Sequence, residues 1–125
     1  MLYIHNSMKN NNYKETRPWG TFENLLESDD CKVKEIIIKP GQSPSYQYHH
    51  KRSEVWVITQ GKGELKLEDE TSPVRKGQVV FVRRLAKHQI KNTEEDVDLK
   101  FIEVQLGEYF GEDDIVRLED AYGRI

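Results

Sequence analysis

The most informative stretch of the sequence is Gly41–Trp56, which reads GQSPSYQYHHKRSEVW. Alternate side chains of a β-strand point to the same face, so Gln47 and His49 can both face an interior while Tyr48 faces outward. A turn would then bring Glu54, on the next strand, into the same space. Burying an amide, an imidazole and a carboxylate is costly unless a partner compensates them. A bound cation would do so, and the stretch therefore predicts a metal site.

A second stretch, which begins at Gly77, adds a candidate for a fourth ligand. Gln78–Val82 reads as a strand, and His88 follows it after a turn. Oxygen and nitrogen donors without sulfur suit zinc, manganese, iron, nickel or cobalt. We expect one divalent ion, with zinc as the first candidate. The four expected ligands are Gln47, His49, Glu54 and His88.

The rest of the chain reads as short strands separated by turn residues. The predicted strands are Lys32–Lys39, Glu54–Thr59, Glu64–Glu68, Gln78–Val82 and Leu99–Leu106. We predict a turn at Arg17–Gly20, and the best helical candidate is the acidic segment Glu112–Leu118. Because short strands and turns dominate and no long run has helical periodicity, the pattern predicts an all-β sandwich or closed barrel.

Composition limits the class of protein. The 125 residues suit one domain, which we place at residues 13–125 after a flexible, Asn-rich leader at residues 1–12. The net charge of −3 favours neither nucleic acid nor an anionic membrane as a partner. A single cysteine, Cys31, excludes an internal disulfide and fits a reducing compartment. Apolar runs such as Ile36–Ile38 are too short to span a membrane, so we expect a cytoplasmic protein.

Two spacings resemble those of the cupin superfamily. The pattern G-x5-Q-x-H-x4-E-x6-G runs from Gly41 to Gly61 and is similar to the first cupin motif, with Gln47 in the place usually held by a histidine. The pattern G-x10-H-x3-N, from Gly77 to Asn92, has the spacing of the second motif. The resemblance implies a single-domain, all-β cupin fold (a double-stranded β-helix, or jelly-roll barrel) and a homodimer.

Further segments narrow the resemblance. Arg17–Gly20, Gln47–Trp56, Gly111–Arg117 and Glu119–Arg124 resemble the type II mannose-6-phosphate isomerase domain. That domain is usually the C-terminal part of a bifunctional mannose-1-phosphate guanylyltransferase. The resemblance implies metal-dependent isomerisation of mannose 6-phosphate and fructose 6-phosphate, with a sugar phosphate as the partner. We do not expect guanylyltransferase activity, since the sequence has no Gly-rich phosphate loop.

Isomerisation moves a proton between C1 and C2, so it needs an acid or base beside the metal. The candidate catalytic residues are His50, Asp113 and Arg117. A guanidinium matches a phosphate bidentately, and the candidate substrate-binding residues are Arg17, Arg52, Tyr122 and Arg124. Arg52 has a second possible role, which is to hold Glu54 in place. We also expect the charged tail from Asp113 to Arg124 to fold over the site as a lid.

Four positions depart from the pattern of the family. Arg83 and Leu85 stand where the second motif usually carries Pro and Gly, so that turn must be made differently. Lys51 and Val55 replace frequent histidines near the ligands. These departures leave two alternatives open, a cupin that binds a sugar or nucleotide sugar without catalysis and a different cupin enzyme such as a non-haem iron oxygenase. Gln47 as an extra ligand argues against the oxygenase.

Overall fold

Eleven β-strands make up the regular structure of residues 13–124, the part of the chain that the computed structural model describes. They are β1 (Lys14–Arg17), β2 (Gly20–Glu27), β3 (Cys31–Ile38), β4 (Tyr46–Tyr48), β5 (Arg52–Gln60), β6 (Lys62–Leu67), β7 (Glu70–Arg75), β8 (Val79–Val82), β9 (His88–Asn92), β10 (Leu99–Gly107) and β11 (Val116–Glu119). Residues 13–124 contain no helix that could cross a membrane. The predicted leader, residues 1–12, lies outside the described residues.

The five predicted strands are all confirmed, each within two residues at either end. The predicted turn is also confirmed, because Pro18 and Trp19 connect β1 to β2. The helical prediction for Glu112–Leu118 is wrong. Residues 112–113 form a turn and β11 follows, with Arg117 paired to Gln47 of β4. Backbone pairing with a strand about 70 residues away therefore overrides the weak local helical tendency.

The strands form two antiparallel sheets. One has the order β1-β2-β3-β10-β5-β8 and the other the order β11-β4-β9-β6-β7. A single apolar core contains side chains from both sheets, namely Trp19, Phe22, Ile36, Ile38, Trp56, Ile58, Leu65, Val74, Val80, Val82, Ile90, Leu99 and Phe101. The predicted all-β class is thus confirmed.

The buried face of each central strand is apolar at one end and polar at the other. In β5 the buried side chains are Arg52, Glu54, Trp56 and Ile58. In β10 they are Leu99, Phe101, Glu103 and Gln105. The two strands are antiparallel, so Gln105 lies opposite Glu54 and Glu103 opposite Trp56. The polar ends therefore coincide, and the fold gathers buried polar groups at one end of the core.

The turn that leads into β9 is made without the glycine that the resemblance to the second cupin motif would place at position 85. Leu85 takes a φ of 73°, and its backbone N–H donates a hydrogen bond to the carbonyl of His49 at 2.9 Å. A side chain in this left-handed region costs about 1–2 kcal/mol. Leu85 therefore adopts the left-handed backbone conformation that glycine would take without strain.

Leu85→Gly should be about 1 kcal/mol more stable than Leu85→Ala, since only glycine relieves the left-handed strain. The two variants remove nearly the same exposed side chain, which separates strain from lost apolar contact. Urea unfolding of both variants measures the difference. Equal stabilities would show that Leu85 carries no strain.

Candidate metal centre

Three of the four predicted ligands come together at the polar end of the core. His49 follows β4, Glu54 belongs to β5 and His88 begins β9, and all three are buried. One ligand atom from each lies within 4.8 Å of the others. The Nε2 atom of His49 is 3.3 Å from Glu54 Oε2, and Nε2 of His88 is 4.0 Å from Glu54 Oε1. These three residues are called the triad below.

Both imidazoles of the triad present Nε2 to the carboxylate. Nδ1 of His49 lies 2.7 Å from the carbonyl oxygen of Asp114, and Nδ1 of His88 lies 2.9 Å from that of Ala86. A carbonyl only accepts, so each Nδ1 carries a proton, and in a neutral ring this leaves the lone pair on Nε2. Nε2 of His88 is buried and has no hydrogen-bond partner within residues 13–124. The arrangement fits a divalent cation, which would bind that atom.

The charge states of the triad also suit a cation. Burial lowers the pKa of His49 to about 4, so its ring is neutral near pH 7, as ligation requires. Burial alone would raise the pKa of Glu54, but the charge of Arg52, together with the two imidazoles and the hydrogen bond from Trp56, holds that pKa well below its usual range. The triad thus offers a neutral nitrogen from His49 and an ionised carboxylate from Glu54, beside the buried Nε2 of His88.

Arg52 holds the carboxylate of the triad in place. Its Nε donates to Glu54 Oε2 at 2.8 Å, while Nε1 of Trp56 donates to Oε1 at 3.0 Å. Nη1 of Arg52 is buried without a partner among the described residues. This geometry supports the positioning role for Arg52, and its contact with a substrate stays a prediction.

Gln47 lies beside the triad. It pairs with His88 across β4 and β9, and both residues line a cavity between the two sheets, called the site cavity below. Its Oε1 accepts a hydrogen bond from Ser45 Oγ at 2.7 Å. An oxygen held in this way can still offer a second lone pair to a cation. Gln47 as the fourth ligand stays a prediction.

The tail lies against the site and helps to shape it. The carboxylate of Asp114 accepts the backbone N–H groups of His50 and Lys51, each at 2.9 Å. Its own carbonyl accepts Nδ1–H of His49. Asp114 therefore holds the turn between β4 and β5 and orients a triad imidazole, two contacts that sequence reasoning did not find.

Asp114→Ala should lower the free energy of unfolding by about 2 kcal/mol at pH 7, since hydrogen bonds to a charged group are worth about 1.5–3 kcal/mol. Burial alone would raise the pKa of Asp114, but the His50 and Lys51 donors hold it below its usual value. The contribution is therefore complete above the unfolded-state pKa and is lost as the pH falls through the lowered one. Urea unfolding at neutral and acid pH measures both effects.

The neighbouring Asp113→Ala is the control for this prediction. Asp113 is exposed, and the hydroxyl of Tyr109 is its one hydrogen-bond donor among the described residues, so its removal should change stability by less than about 0.5 kcal/mol. Equal losses in the two variants would contradict the role of Asp114.

The wall of the site cavity is rich in arginine. It carries five cationic side chains, those of Arg17, Lys34, Arg52, Arg117 and Arg124, and three carboxylates, those of Glu54, Glu103 and Glu112. Cations therefore outnumber carboxylates even without a metal ion. An excess of this kind favours an anionic ligand.

Arg117 is the least compensated of these cations. Its Nε is buried without a partner among the described residues. Burial and the nearby charges of Arg124 and Arg17 lower its pKa, although the carboxylate of Asp120 acts against them. Arg124, by contrast, binds Asp120 through two hydrogen bonds of 2.8 Å, and Arg17 pairs with Glu15 at 2.6 Å. Arg117 thus has hydrogen-bonding capacity left for a ligand.

Three other predicted site residues do not line the site cavity. His50 is exposed, with its ring edge-on to Tyr48 at 5.4 Å between centroids. Asp113 is exposed as well, and Tyr122 donates its hydroxyl to Gln42. Their predicted roles stay predictions, without support from the shape of the cavity.

Sequence reasoning missed three charged residues of the cavity wall, namely Lys34, Glu103 and Glu112. A signal was available for two of them. Glu103 continues the two-residue period of Leu99 and Phe101, and Lys34 continues that of Ile36 and Ile38. The period places both polar residues on the buried face.

The fold and the triad together define a cupin, a double-stranded β-helix with a candidate metal site. The capsular polysaccharide assembling protein CapF from Staphylococcus aureus superposes with a TM-score of 0.76 at 24% identity, over 91% of this chain and 34% of CapF. A protein with a double-stranded beta-helix domain from Klebsiella pneumoniae superposes with a TM-score of 0.68 at 18% identity, over 78% of this chain and 77% of that one. These two superpositions show a shared fold.

The chain belongs to the family described as "Mannose-6-phosphate isomerase C-terminal", whose model matches residues 5–120. It is 40% identical over 111 residues to the xanthan biosynthesis protein XanB of Xanthomonas campestris pv. campestris (strain B100). The aligned region covers 89% of this chain and 24% of XanB. It is 38% identical over 106 residues to mannose-1-phosphate guanylyltransferase 2 of Escherichia coli O157:H7, over 85% of this chain and 22% of that protein. The chain thus spans about a quarter of the length of these curated relatives.

Proposed function

We propose that this chain is a metal-dependent isomerase that interconverts mannose 6-phosphate and fructose 6-phosphate. The proposal rests on one juxtaposition, in which a buried His-Glu-His triad and Arg117, whose Nε has no partner among the described residues, line the same cavity. Membership of the mannose-6-phosphate isomerase C-terminal family supports it. The biosynthetic names of the relatives, among them a mannose-1-phosphate guanylyltransferase, agree with a role in sugar-nucleotide metabolism.

The triad would hold the metal, with Gln47 as a fourth ligand and zinc as the proposed ion. A bound divalent ion supplies Lewis-acid stabilisation of the negative charge that forms on the sugar oxygens. The chain's own residues orient and enclose the substrate. Arg117 binds the phosphate, with Arg17 and Arg124 beside it, because a guanidinium suits that group.

We further propose that the chain pairs with a second copy. In the six-stranded sheet β8 is an edge strand, and its Val79 and Phe81 are 64% and 53% exposed. Exposed apolar side chains on an edge strand support the pairing that the cupin resemblance implies.

A coupled assay of mannose 6-phosphate with protein loaded separately with zinc, manganese, iron, nickel or cobalt tests the proposed activity. We expect turnover with at least one metal and none after chelation. A protein that binds metal stoichiometrically yet shows no turnover with any of them would refute the isomerase. Thermal stabilisation by mannose 6-phosphate without turnover would identify a binding protein instead, and oxygen uptake by the ferrous form an oxygenase.

A further inference from the structure

A buried carboxylate of the site cavity lies outside the triad. Glu103 lies on β10, is 8% exposed and lines the same cavity as the triad. Its strand neighbours are Trp56 on β5 and Lys34 on β3. Trp56 donates its indole N–H to Glu54, so Glu103 lies directly opposite a residue that contacts the triad.

The surroundings of Glu103 suit a group that both takes up and releases a proton. Gln105, which is fully buried, donates its Nε2–H to Glu103 Oε2 at 2.6 Å. Burial, together with the charge of Glu54, raises the pKa of Glu103 to about 7, although Arg52 and Lys34 act against the rise. A general acid–base works best when its pKa lies near the operating pH.

The other carboxylates of the cavity wall are already engaged. Glu54 is held by Arg52 and Trp56 as a triad member. Glu112 is bound by Lys34 and lies 3.7 Å from Lys32 Nζ. Glu103 is the remaining carboxylate of the wall among the described residues. Glu103 also lies at the polar end of the core, where the triad is.

We propose that Glu103 is the catalytic acid–base residue that carries the proton between C2 and C1 of the open-chain sugar, an inference that rests on the proposed isomerase. The Glu103 carboxylate takes the proton from C2, the electrons of the C2–H bond form the C1–C2 double bond, and the carbonyl electrons move to O1. Glu103 then returns the proton to C1. The proton on O2 passes to O1 and the C2 carbonyl forms, so the reaction balances without a co-reactant.

Glu103→Gln tests this role because it keeps the shape of the side chain and removes the proton carrier. We expect kcat to fall by at least about 100-fold, the lower range for a lost general acid–base. Metal content and the Kd for 1,5-anhydromannitol 6-phosphate, which has no carbonyl to isomerise, should stay within about twofold of wild type, since the ligands and arginines are untouched. Incorporation of deuterium at C1 of the product in D2O should fall in step with kcat.

Glu35→Gln is the matched control, because Glu35 lies on the opposite face of the same sheet and should leave kcat unchanged. Glu103→Asp keeps a carboxylate and should recover part of the activity and the pH dependence of kcat. If Glu103→Gln fails to fold, the Asp variant still tests the role of the carboxylate. A Gln variant with more than about a tenth of wild-type kcat, or an Asp variant no better than Gln, would overturn the role of Glu103 alone. A wild-type protein without turnover would overturn both this role and the isomerase.

Discussion

His88→Leu should strongly weaken metal binding at the triad while the metal-free protein stays within about 1 kcal/mol of wild type. The two effects differ because Nε2 of His88 is buried without a partner among the described residues. Removing an unsatisfied polar atom benefits the metal-free fold, and the loss of the hydrogen bond from Nδ1 to Ala86 offsets that gain. Metal affinity should fall by more than about 100-fold, because loss of a ligand should exceed the roughly 10- to 100-fold loss seen when a residue that only hydrogen-bonds a ligand is replaced.

Thermal unfolding with and without metal measures both effects in one experiment. A ligand at 100 times its Kd stabilises a protein by about 2.7 kcal/mol, so wild type should gain thermal stability with metal and His88→Leu should not. His50→Leu is the control, since His50 is exposed and does not line the site cavity. Wild-type affinity in His88→Leu would remove His88 from the ligand set.

Arg117→Met should weaken binding of mannose 6-phosphate by about 10- to 100-fold, since a hydrogen bond to a charged group is worth about 1.5–3 kcal/mol. Binding of mannose, which has no phosphate, should be unchanged. The variant should fold normally, because Arg117 Nε has no partner to lose within residues 13–124. Titration calorimetry with both sugars measures the difference.

Arg84→Met serves as the control for Arg117. Arg84 is exposed in the turn before β9 and does not line the site cavity. Its loss removes the same charge from the chain without touching the proposed phosphate site. Equal weakening in the two variants would show a general charge effect and would contradict a specific contact by Arg117.

Local patterns were enough to predict five of the eleven strands of residues 13–124 and the three triad residues. The two-residue period of a strand is a property of neighbouring residues, so Gln47 and His49 could be placed on one face before any pairing was known. The same period also places Glu103 behind Leu99 and Phe101 on the buried face. That residue was missed because an acidic side chain near a strand end is usually exposed.

The tail shows where local patterns fail. Residues 112–118 carry acidic and apolar side chains that suit a helix, yet β11 pairs with β4 and Asp114 binds the turn at His50 and Lys51. Each of these contacts joins residues more than 60 positions apart. Their free energy depends on the closed fold, so no local window of the sequence contains it.

The sequence by itself determined the all-β class, five of the strands and three residues able to hold a metal, because spacing and alternation are short-range properties. Only the tertiary structure decided that Asp114 and Ala86 turn both imidazoles toward Glu54, and that Arg52 binds this carboxylate. It alone placed Glu103 and Arg117 on one cavity wall. These features depend on strand register and burial, which arise when distant segments pack together.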